Sequence, residues 1–328
     1  MKLMVQIPCL NEEATLPATL GDIPRQIEGI DKVEIVIIDD GCTDRTVEIA
    51  RRLGVDHVIS FPANRGLGHA FAAGIDFCLR HGADIIVNTD GDNQYFGGDI
   101  PKLVKPILEG RAHLVIGDRE PEKVPHFSFI KKKMQTLGSR VVSRLADMHV
   151  PDVASGFKAY TREAAMRLSC STDFDHTVDH VIQAGRKHII TVSVPIRTNE
   201  KLRESRLFTN IWVFISHSVS IMVRVYSSYR AMKIFSAAGI FAIALGFLIG
   251  VRFLYFFFFT EEHDAHIQSL ILAAILLIAG FQMILTGIVA DLINSSRGVL
   301  EDVSYRLRRM ELDRDNNQAG SPKTGGRP

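Results

Sequence analysis

Over residues 1–120, short apolar runs alternate with segments of helical periodicity. The apolar runs predict buried strands at Leu3–Ile7, Val33–Ile38, His57–Ile59, Asp84–Asn88 and His113–Gly117. The intervening periodic segments predict helices at Glu12–Leu20, Asp44–Arg52 and Gly68–His81. Apolar strands joined by helices are typical of an α/β domain with a largely parallel sheet covered on both faces.

The hydrophobic pattern changes in the C-terminal third. Residues 207–233 carry one apolar stripe at helical spacing, which predicts an amphipathic helix at a membrane interface. Residues 234–259 and 267–293 are almost wholly apolar, and each run exceeds the roughly 20 residues that cross a bilayer core. We therefore predict an N-terminal α/β domain over 1–206, the interfacial helix over 207–233 and a two-helix transmembrane hairpin over 234–293. Residues 294–328 predict a cytoplasmic helix followed by a polar, disordered tail.

The distribution of basic residues predicts the orientation of this hairpin. The spacer 260–266 contains no lysine or arginine, whereas both outer flanks are rich in them. The positive-inside rule then places the N-terminal domain and the C-terminus in the cytoplasm, and the spacer outside. No signal peptide is visible before the predicted first strand, so the N-terminal domain is expected to stay in the cytoplasm. The length and low charge of the two runs disfavour a pair of buried helices in a soluble protein.

Residues 120–150 allow two interpretations. Apolar positions recur at helical spacing between Ile130 and Leu145, flanked by Lys131–Lys133, Arg140 and Arg144. A basic amphipathic helix can lie on an anionic membrane surface, but the same pattern fits a helix that packs one face on the domain core.

Net charge and cysteine spacing exclude some functions. The formal net charge of +1 gives no electrostatic reason for nucleic-acid binding. The four cysteines lie far apart, without metal-ligand or disulfide-framework spacing, and predict free thiols.

The candidate chemistry lies just past the predicted strands. Ligands of parallel α/β sheets bind at the carboxyl ends of the strands. The segments at those ends are Pro8–Glu12, Asp39–Asp40, Asn64–Gly68, Asp90–Gln94 and Gly117–Arg119. Helix capping accounts for one or two of these polar clusters, but not for all of them together.

The Asp90–Gln94 turn is the strongest single motif. Asp90 and Asp92 follow a buried strand one residue apart, so both carboxylates can face one metal, and Gln94 can add a carbonyl oxygen. Mg²⁺ and Mn²⁺ prefer such oxygen ligands and commonly combine one or two carboxylates with substrate phosphates. The alternative is a solvated acidic turn, because Asp, Gly and Asn are ordinary turn residues.

The order of these motifs resembles a known family. Ile7-Pro8-Cys9-Leu10-Asn11-Glu12, Ile38-Asp39-Asp40-Gly41, Asn64-Arg65-Gly66, Asp90-Gly91-Asp92-Asn93-Gln94 and Gly117-Asp118-Arg119 follow one another as in the family 2 glycosyltransferases of GT-A fold. Asp152-Val153-Ala154-Ser155-Gly156-Phe157 and Arg203-Glu204-Ser205-Arg206 extend the resemblance to the dolichol-phosphate mannose synthase group. The resemblance covers about two thirds of the chain.

The resemblance implies a GT-A catalytic domain with a Rossmann-like mixed sheet. It also implies a membrane-bound, inverting enzyme that moves a hexose from a GDP-mannose- or UDP-glucose-type donor to a polyprenyl phosphate. It assigns the nucleotide-sugar pocket to Pro8, Glu12, Asp39, Asp40, Arg65 and Asp90, and the Mg²⁺ or Mn²⁺ site to Asp90, Asp92 and Gln94. Asp92, Asp152, Arg119 and Arg206 are the candidate catalytic residues.

Within that set, Arg119 and Arg206 are expected to contact the diphosphate or the lipid phosphate. Asp152 is either a base or orienting group, or only a turn residue. Because an acceptor phosphate is already anionic, a strong base is less needed than for a hydroxyl acceptor. The place of the acceptor in this family also favours the membrane interpretation of residues 120–150.

Three alternatives stay open at this point. A processive polysaccharide synthase would carry a Gln-x-x-Arg-Trp motif, which is absent because the single tryptophan is Trp212. A protein or sugar hydroxyl could replace the lipid acceptor, but the predicted membrane segments favour a lipid. A catalytically silent, membrane-tethered nucleotide-binding scaffold is disfavoured by the retained acidic turn and Arg119. Homo-oligomers through the transmembrane helices are a further expectation.

Overall fold

The computed structural model describes residues 1–120, 129–168, 176–199, 211–259 and 267–320. The strands are β1 (Lys2–Cys9), β2 (Lys32–Asp39), β3 (His57–Ser60), β4 (Ile85–Asn88), β5 (Leu114–Asp118), β6 (Lys158–Thr161) and β7 (Thr191–Pro195). The helices are α1 (Leu16–Asp22), α2 (Thr46–Arg52), α3 (Leu67–Arg80), α4 (Ile100–Leu108), α5 (Phe129–Ala146), α6 (Arg162–Arg167), α7 (His176–Arg186), α8 (Ile211–Phe259) and α9 (Ile267–Gly320), and a 3₁₀ turn (Gly97–Asp99) precedes α4.

The strands form one mixed seven-stranded sheet in the order β3-β2-β1-β4-β6-β5-β7. β1 to β4 pair in parallel, and so do β5 and β7, but β6 lies antiparallel between β4 and β5. The mixed sheet of GT-A type is confirmed, and the expectation of a largely parallel sheet is corrected at β6. The four residues of β6 begin with Lys158 and have no extended apolar run, so their pattern does not announce a central strand.

Burial explains why β1 and β2 were recognisable from the sequence. Both strands are buried at nearly every position, because helices cover both faces of the sheet. One apolar core joins their side chains to those of α4 and β5, with Leu3, Ile37, Val104 and Val115 among its members. This core holds the carboxyl ends of β1, β2 and β4 at one edge, where the polar loops follow.

The chain divides into two compact units. Unit 2, residues Val219–Glu301, consists of parts of α8 and α9. Its segment Met232–Phe259 and the segment Ile267–Arg314 of α9 are long and apolar enough to cross a membrane. The two helices approach closely at Gly239 and Gly280, where a Cβ on Gly239 would lie 2.6 Å from the Gly280 carbonyl oxygen. Large apolar side chains such as Phe241 and Phe258 are exposed on the outside of this pair.

Helices α8 and α9 are longer than the sequence pattern indicated. The structure has no break between the predicted interfacial helix and the first span, because α8 runs from Ile211 to Phe259. α9 likewise continues through the predicted cytoplasmic helix and the start of the predicted tail to Gly320. Neither junction contains a proline, so nothing in the local sequence ends the helix there.

Unit 1 contains Met1–Ser218 together with Asp302–Pro328. The end of α9 contacts α6 within this unit. The Tyr305 hydroxyl donates to Glu163 Oε1 at 2.8 Å, and the Arg167 guanidinium lies over the Tyr305 ring. Leu312 is buried in the same segment. The C-terminal part of α9 therefore packs on the catalytic domain.

Candidate functional site

The ends of β1 and β2 bring Pro8, Glu12 and Asp39 to one edge of the sheet. Cys9 and Asp39 are paired in the parallel register, so the loops that follow both strands leave side by side. Asp39 Oδ1 accepts a hydrogen bond from the Cys42 backbone N–H at 2.7 Å. Glu12 is anchored at both ends, since its N–H donates to Thr46 Oγ1 and its Oε2 accepts from Thr15 Oγ1, each at 2.8 Å. These predicted pocket residues therefore stand on a rigid, buried base.

Asp40 shapes the loop that contains Arg65. Its two carboxylate oxygens accept hydrogen bonds from the backbone N–H groups of Arg65 and Gly66, at 2.7 and 3.0 Å. Gly41 makes this approach possible, because a Cβ there would lie 2.6 Å from the backbone of residues 63 and 64, and its φ is +77°. The Arg65 side chain is exposed, with its guanidinium 5.2 Å from the centre of the Phe61 ring. Asp40 therefore acts on the loop, and Arg65 is the member of this pair that a ligand can reach.

The acidic turn follows β4 and is half-buried at Asp90, Asp92 and Gln94. Asp92 Oδ1 accepts from the Gln94 N–H at 3.0 Å, and Asn93 between them has the left-handed φ of 58°. Gly156 lies against Asp90, and a Cβ there would be 3.2 Å from both Asp90 carboxylate oxygens. The absence of that Cβ leaves space beside the carboxylate.

The residues of this turn fit a hard divalent cation. Among the described residues, no group of three or more His, Cys, Asp or Glu side chains could by itself hold a metal ion. Two carboxylates with one amide oxygen are instead the partial set that a Mg²⁺- or Mn²⁺-diphosphate completes with its own oxygens.

Arg119 and Asp152 form a buried ion pair at the end of β5. Arg119 Nε lies 2.6 Å from Asp152 Oδ2, and Nη2 lies 2.9 Å from Oδ1. Burial alone would lower the pKa of Arg119, but the neighbouring Tyr95, Asp152 and Asp90 raise the pKa above its usual range. The guanidinium is therefore a permanent cation beside the acidic turn. It is also 5.9 Å from the centre of the Tyr95 ring, whose hydroxyl accepts from the Gly156 N–H at 2.8 Å.

A cavity of about 790 Å³ is lined in part by the sequence neighbours of this ion pair. It lies between the end of β5, one face of α5 and the 147–151 loop. Asp118 and Glu120, the neighbours of Arg119, line it together with Thr136, Ser139, Arg140, Ser143, Arg144, Asp147, Met148, His149, Val150 and Pro151. Burial first, and then the charges of Asp152 and Glu120, raise the pKa of Asp118. The cavity combines hydroxyl, guanidinium and imidazole donors with the carboxyl groups of Asp118, Glu120 and Asp147.

The structure brings most predicted site residues together, with one exception. Pro8, Glu12, Asp39, Asp40, Arg65, Asp90, Asp92, Gln94, Arg119 and Asp152 all lie on loops or strand ends at the same edge of the sheet. Arg206, with its neighbour Arg203, lies outside the described residues, and its role stays a prediction.

Sequence reasoning missed the residues that support the acidic turn. Tyr95 ties the turn to Gly156, and Asn199 donates to the Gln94 carbonyl oxygen at 3.0 Å. The buried carboxylate of Asp99 is paired with Arg197 at 2.6 Å. Asn93–Asn199 and Asp99–Arg197 join positions about a hundred residues apart, so no local pattern marks them.

Comparison with known proteins agrees with this geometry. Residues 4–169 match the family model of Glycosyl transferase family 2, so the chain belongs to that family. The undecaprenyl-phosphate mannosyltransferase of Micrococcus luteus is 27% identical over 218 residues, which cover 63% of this chain and 88% of that protein. The polyprenol monophosphomannose synthase of Mycolicibacterium smegmatis is 28% identical over 214 residues, covering 61% of this chain and 78% of the relative.

A solved structure confirms the GT-A fold. Glucosyl-3-phosphoglycerate synthase from Mycobacterium tuberculosis, in complex with Mn²⁺, UDP and phosphoglyceric acid, superposes with a TM-score of 0.54. The sequence identity is 20%, and the alignment covers 69% of this chain and 78% of that structure. The chain is therefore a family 2 glycosyltransferase with a mixed α/β catalytic domain and long apolar C-terminal helices.

Proposed function

We propose that this protein transfers a hexose from a nucleotide-sugar to a polyprenyl phosphate at a membrane surface, with inversion at the anomeric carbon. The observation that carries the proposal is the position of the Arg119–Asp152 pair. It lies beside the acidic turn, since Asp90 is among the charges that act on the Arg119 guanidinium, and Asp118, Glu120 and Pro151, the sequence neighbours of the pair, line the cavity along α5. The relatives named for lipid-phosphate mannosyl transfer support the same acceptor class.

The donor would bind across the ends of β1, β2 and β4. Asp39, buried at the end of β2, is suited to accept hydrogen bonds from the nucleoside, with Pro8 and Glu12 beside it. Arg65 is exposed on the loop held by Asp40 and can reach the diphosphate with charge-assisted hydrogen bonds. A divalent cation such as Mg²⁺ or Mn²⁺ held by Asp90, Asp92 and the Gln94 side chain would neutralise the leaving diphosphate.

The transfer step needs little proton chemistry from the protein. An oxygen of the acceptor phosphate attacks the anomeric carbon, the bond from that carbon to the diphosphate breaks, and its electron pair remains on the diphosphate. The attacking oxygen is already anionic at neutral pH, so no proton has to be removed. Asp152 then serves best as the group that orients Arg119, because both of its oxygens accept from that guanidinium.

The cavity along α5 suits the phosphate end of the acceptor. Its arginines and hydroxyl groups can bind phosphate oxygens, and Arg206, which precedes α8 in the chain, would add a further guanidinium. The apolar α8 and α9 would anchor the enzyme in the membrane that holds the polyprenyl chain. In this arrangement the catalytic domain and the C-terminus lie on the cytoplasmic side, and the 260–266 spacer on the other.

The deciding experiment is a transfer assay with the purified full-length protein in lipid nanodiscs. It uses a panel of UDP- and GDP-sugars with Mg²⁺ or Mn²⁺, and three acceptors: a short polyprenyl phosphate, the matching polyprenol, and phosphoglyceric acid. We expect a lipid-linked hexose only with the polyprenyl phosphate. Transfer to phosphoglyceric acid or to the free alcohol, with none to the lipid phosphate, would overturn the proposal.

A further inference from the structure

We propose that Arg197 and Asn199 are positioning residues for the acidic turn: the segment 196–199 is a strut that sets the geometry of Asp92 and Gln94. The inference rests on the proposed donor site, but it concerns residues outside the motifs that define the family resemblance. The strut follows β7 directly in the chain.

Main-chain pairing joins the strut to the turn. Tyr95 and Thr198 form an antiparallel bridge. On either side of it, the Asn199 N–H donates to the Gln94 carbonyl oxygen at 3.0 Å, and the Phe96 N–H donates to the Arg197 carbonyl oxygen at 3.3 Å. Residues 94–96 and 197–199 are therefore a short antiparallel pair, and they shift together.

The Asn199 side chain contacts the turn at Asn93, the residue of the turn with a left-handed backbone conformation. Its Nδ2 donates to Asn93 Oδ1 at 3.1 Å and to Asp22 Oδ2 at 3.0 Å. A carboxylate can only accept, so Asp22 fixes which end of the Asn199 amide faces the turn. Asn93 lies between Asp92 and Gln94 and has a left-handed backbone. A rotation there would redirect both neighbouring side chains, and Asn199 opposes that rotation.

Asp99 anchors the other end of the strut. Its carboxylate is fully buried and accepts from the Arg197 backbone N–H at 2.7 Å, from Nη2 at 2.6 Å and from Nε at 3.1 Å. The Arg197 guanidinium also lies 4.1 Å from the centre of the Phe96 ring. Lys102 is a second cation on Asp99, at 3.0 Å, but it lies on α4, outside the strut. It therefore offers a matched control.

The strut contacts the proposed metal ligands from outside and would orient them without touching the metal ion. Residues that orient metal ligands contribute to metal affinity without touching the ion, and their loss typically weakens binding by about 10- to 100-fold. A strut that only stabilised the fold would change the unfolding temperature and leave the affinity of the folded protein unchanged.

The test measures Mn²⁺ binding directly in the full-length protein. Free Mn²⁺ is followed by its electron paramagnetic resonance signal during titration in the presence of UDP or GDP, without acceptor. We expect Asn199→Ala to raise the Kd of Mn²⁺ about 10-fold and Arg197→Ala to raise it in the same direction. The Kd of Mn²⁺ for Lys102→Ala should stay within about two-fold of the wild-type value, since this substitution leaves the strut intact.

Each alternative result has a defined meaning. Wild-type Mn²⁺ affinity in folded Asn199→Ala and Arg197→Ala proteins would overturn the inference. If Asn199→Ala does not fold, Arg197→Lys is measured in its place, because lysine keeps the charge but cannot form the paired guanidinium hydrogen bonds to Asp99. Wild-type Mn²⁺ affinity in Arg197→Lys would also overturn the inference. Absence of Mn²⁺ binding in the wild-type protein would remove the metal assignment and this inference with it. Failure of the lipid-transfer assay with Mn²⁺ binding intact would contradict only the proposed acceptor.

Discussion

The carboxylate of Asp152 accepts two hydrogen bonds from the guanidinium of Arg119, at 2.6 and 2.9 Å, and both residues are more than nine-tenths buried. The Arg119 backbone N–H adds a third contact to the same carboxylate at 3.3 Å. A carboxylate engaged on both oxygens is poorly placed to remove a proton from a substrate. Asp152 is therefore better suited to hold the positively charged guanidinium of Arg119 in place beside the acidic turn.

The first prediction separates an orienting from a basic role for Asp152. Asp152→Asn should lower kcat while leaving the shape of the pH dependence of kcat/KM unchanged, because no proton transfer is lost. Loss of the acidic limb of that profile would identify Asp152 as a base. The folded fraction must be checked first, since breaking a buried ion pair costs about 3–5 kcal/mol.

A second prediction concerns the acidic turn. Asp92→Asn should reduce turnover by about 100-fold or more and weaken metal-dependent nucleotide binding, since it removes a charged ligand from the proposed cation site. Asp76→Asn, an exposed aspartate paired with Arg80 on α3, is the matched control. Undiminished turnover by EDTA-treated enzyme without added metal would contradict the cation site altogether.

The third prediction concerns the lipid phosphate. Arg206→Ala should lower kcat/KM for polyprenyl phosphate by about 10- to 100-fold, because a charge-assisted hydrogen bond contributes about 1.5–3 kcal/mol. Nucleotide affinity measured without acceptor should change less. Arg206→Lys distinguishes bidentate phosphate binding from general attraction to an anionic membrane surface. Lysine keeps the charge that surface attraction needs, but it cannot form the two parallel hydrogen bonds of a guanidinium. Unchanged acceptor kinetics in both variants would shift attention to Arg140 and Arg144 in the cavity.

Glu34 gives a prediction for stability against pH. Burial would raise its pKa, but hydrogen bonds from Lys2, Lys32 and His57 outweigh burial and lower the pKa to about 2. Because the folded pKa lies below the unfolded one, this stabilisation is present above about pH 4.3 and is lost as pH falls toward 2. Glu34→Gln should therefore lower the free energy of unfolding at pH 7 and flatten its decline through that window. Chemical denaturation at a series of pH values tests this, with exposed Glu48→Gln as control.

The last prediction concerns the hairpin. A single cysteine label at residue 263 should react from outside intact cells, and one at residue 316 only after permeabilisation, because the basic flanks favour the cytoplasm. The four native cysteines are replaced beforehand so that each label is unique. Reaction of both sites from the same side would reject the two-span topology.

Much of the fold and the acidic part of the site were predictable from local patterns. The β1, β2 and β4 strands are nearly continuous apolar runs, interrupted by Gln6 in β1 and Glu34 in β2, because they are covered on both faces, and the polar residues past their ends follow from the direction of parallel strands. The long apolar segments of α8 and α9 were equally visible, since crossing a bilayer requires an uninterrupted apolar length. These features depend on neighbours in sequence, so the sequence by itself determined them.

Only the tertiary structure decided how the site is held. β6 lies antiparallel between β4 and β5 although its short segment has no distinctive pattern. Asp152 proved to be engaged by Arg119, and Asn199 proved to hold Asn93, across 33 and 106 positions of the chain. Such contacts depend on which loops the sheet order brings together, and a pairing between distant polar residues leaves no periodic signal in either segment. Local sequence therefore marked the polar residues at the strand ends, whereas the partners that orient them emerged only when the chain was folded.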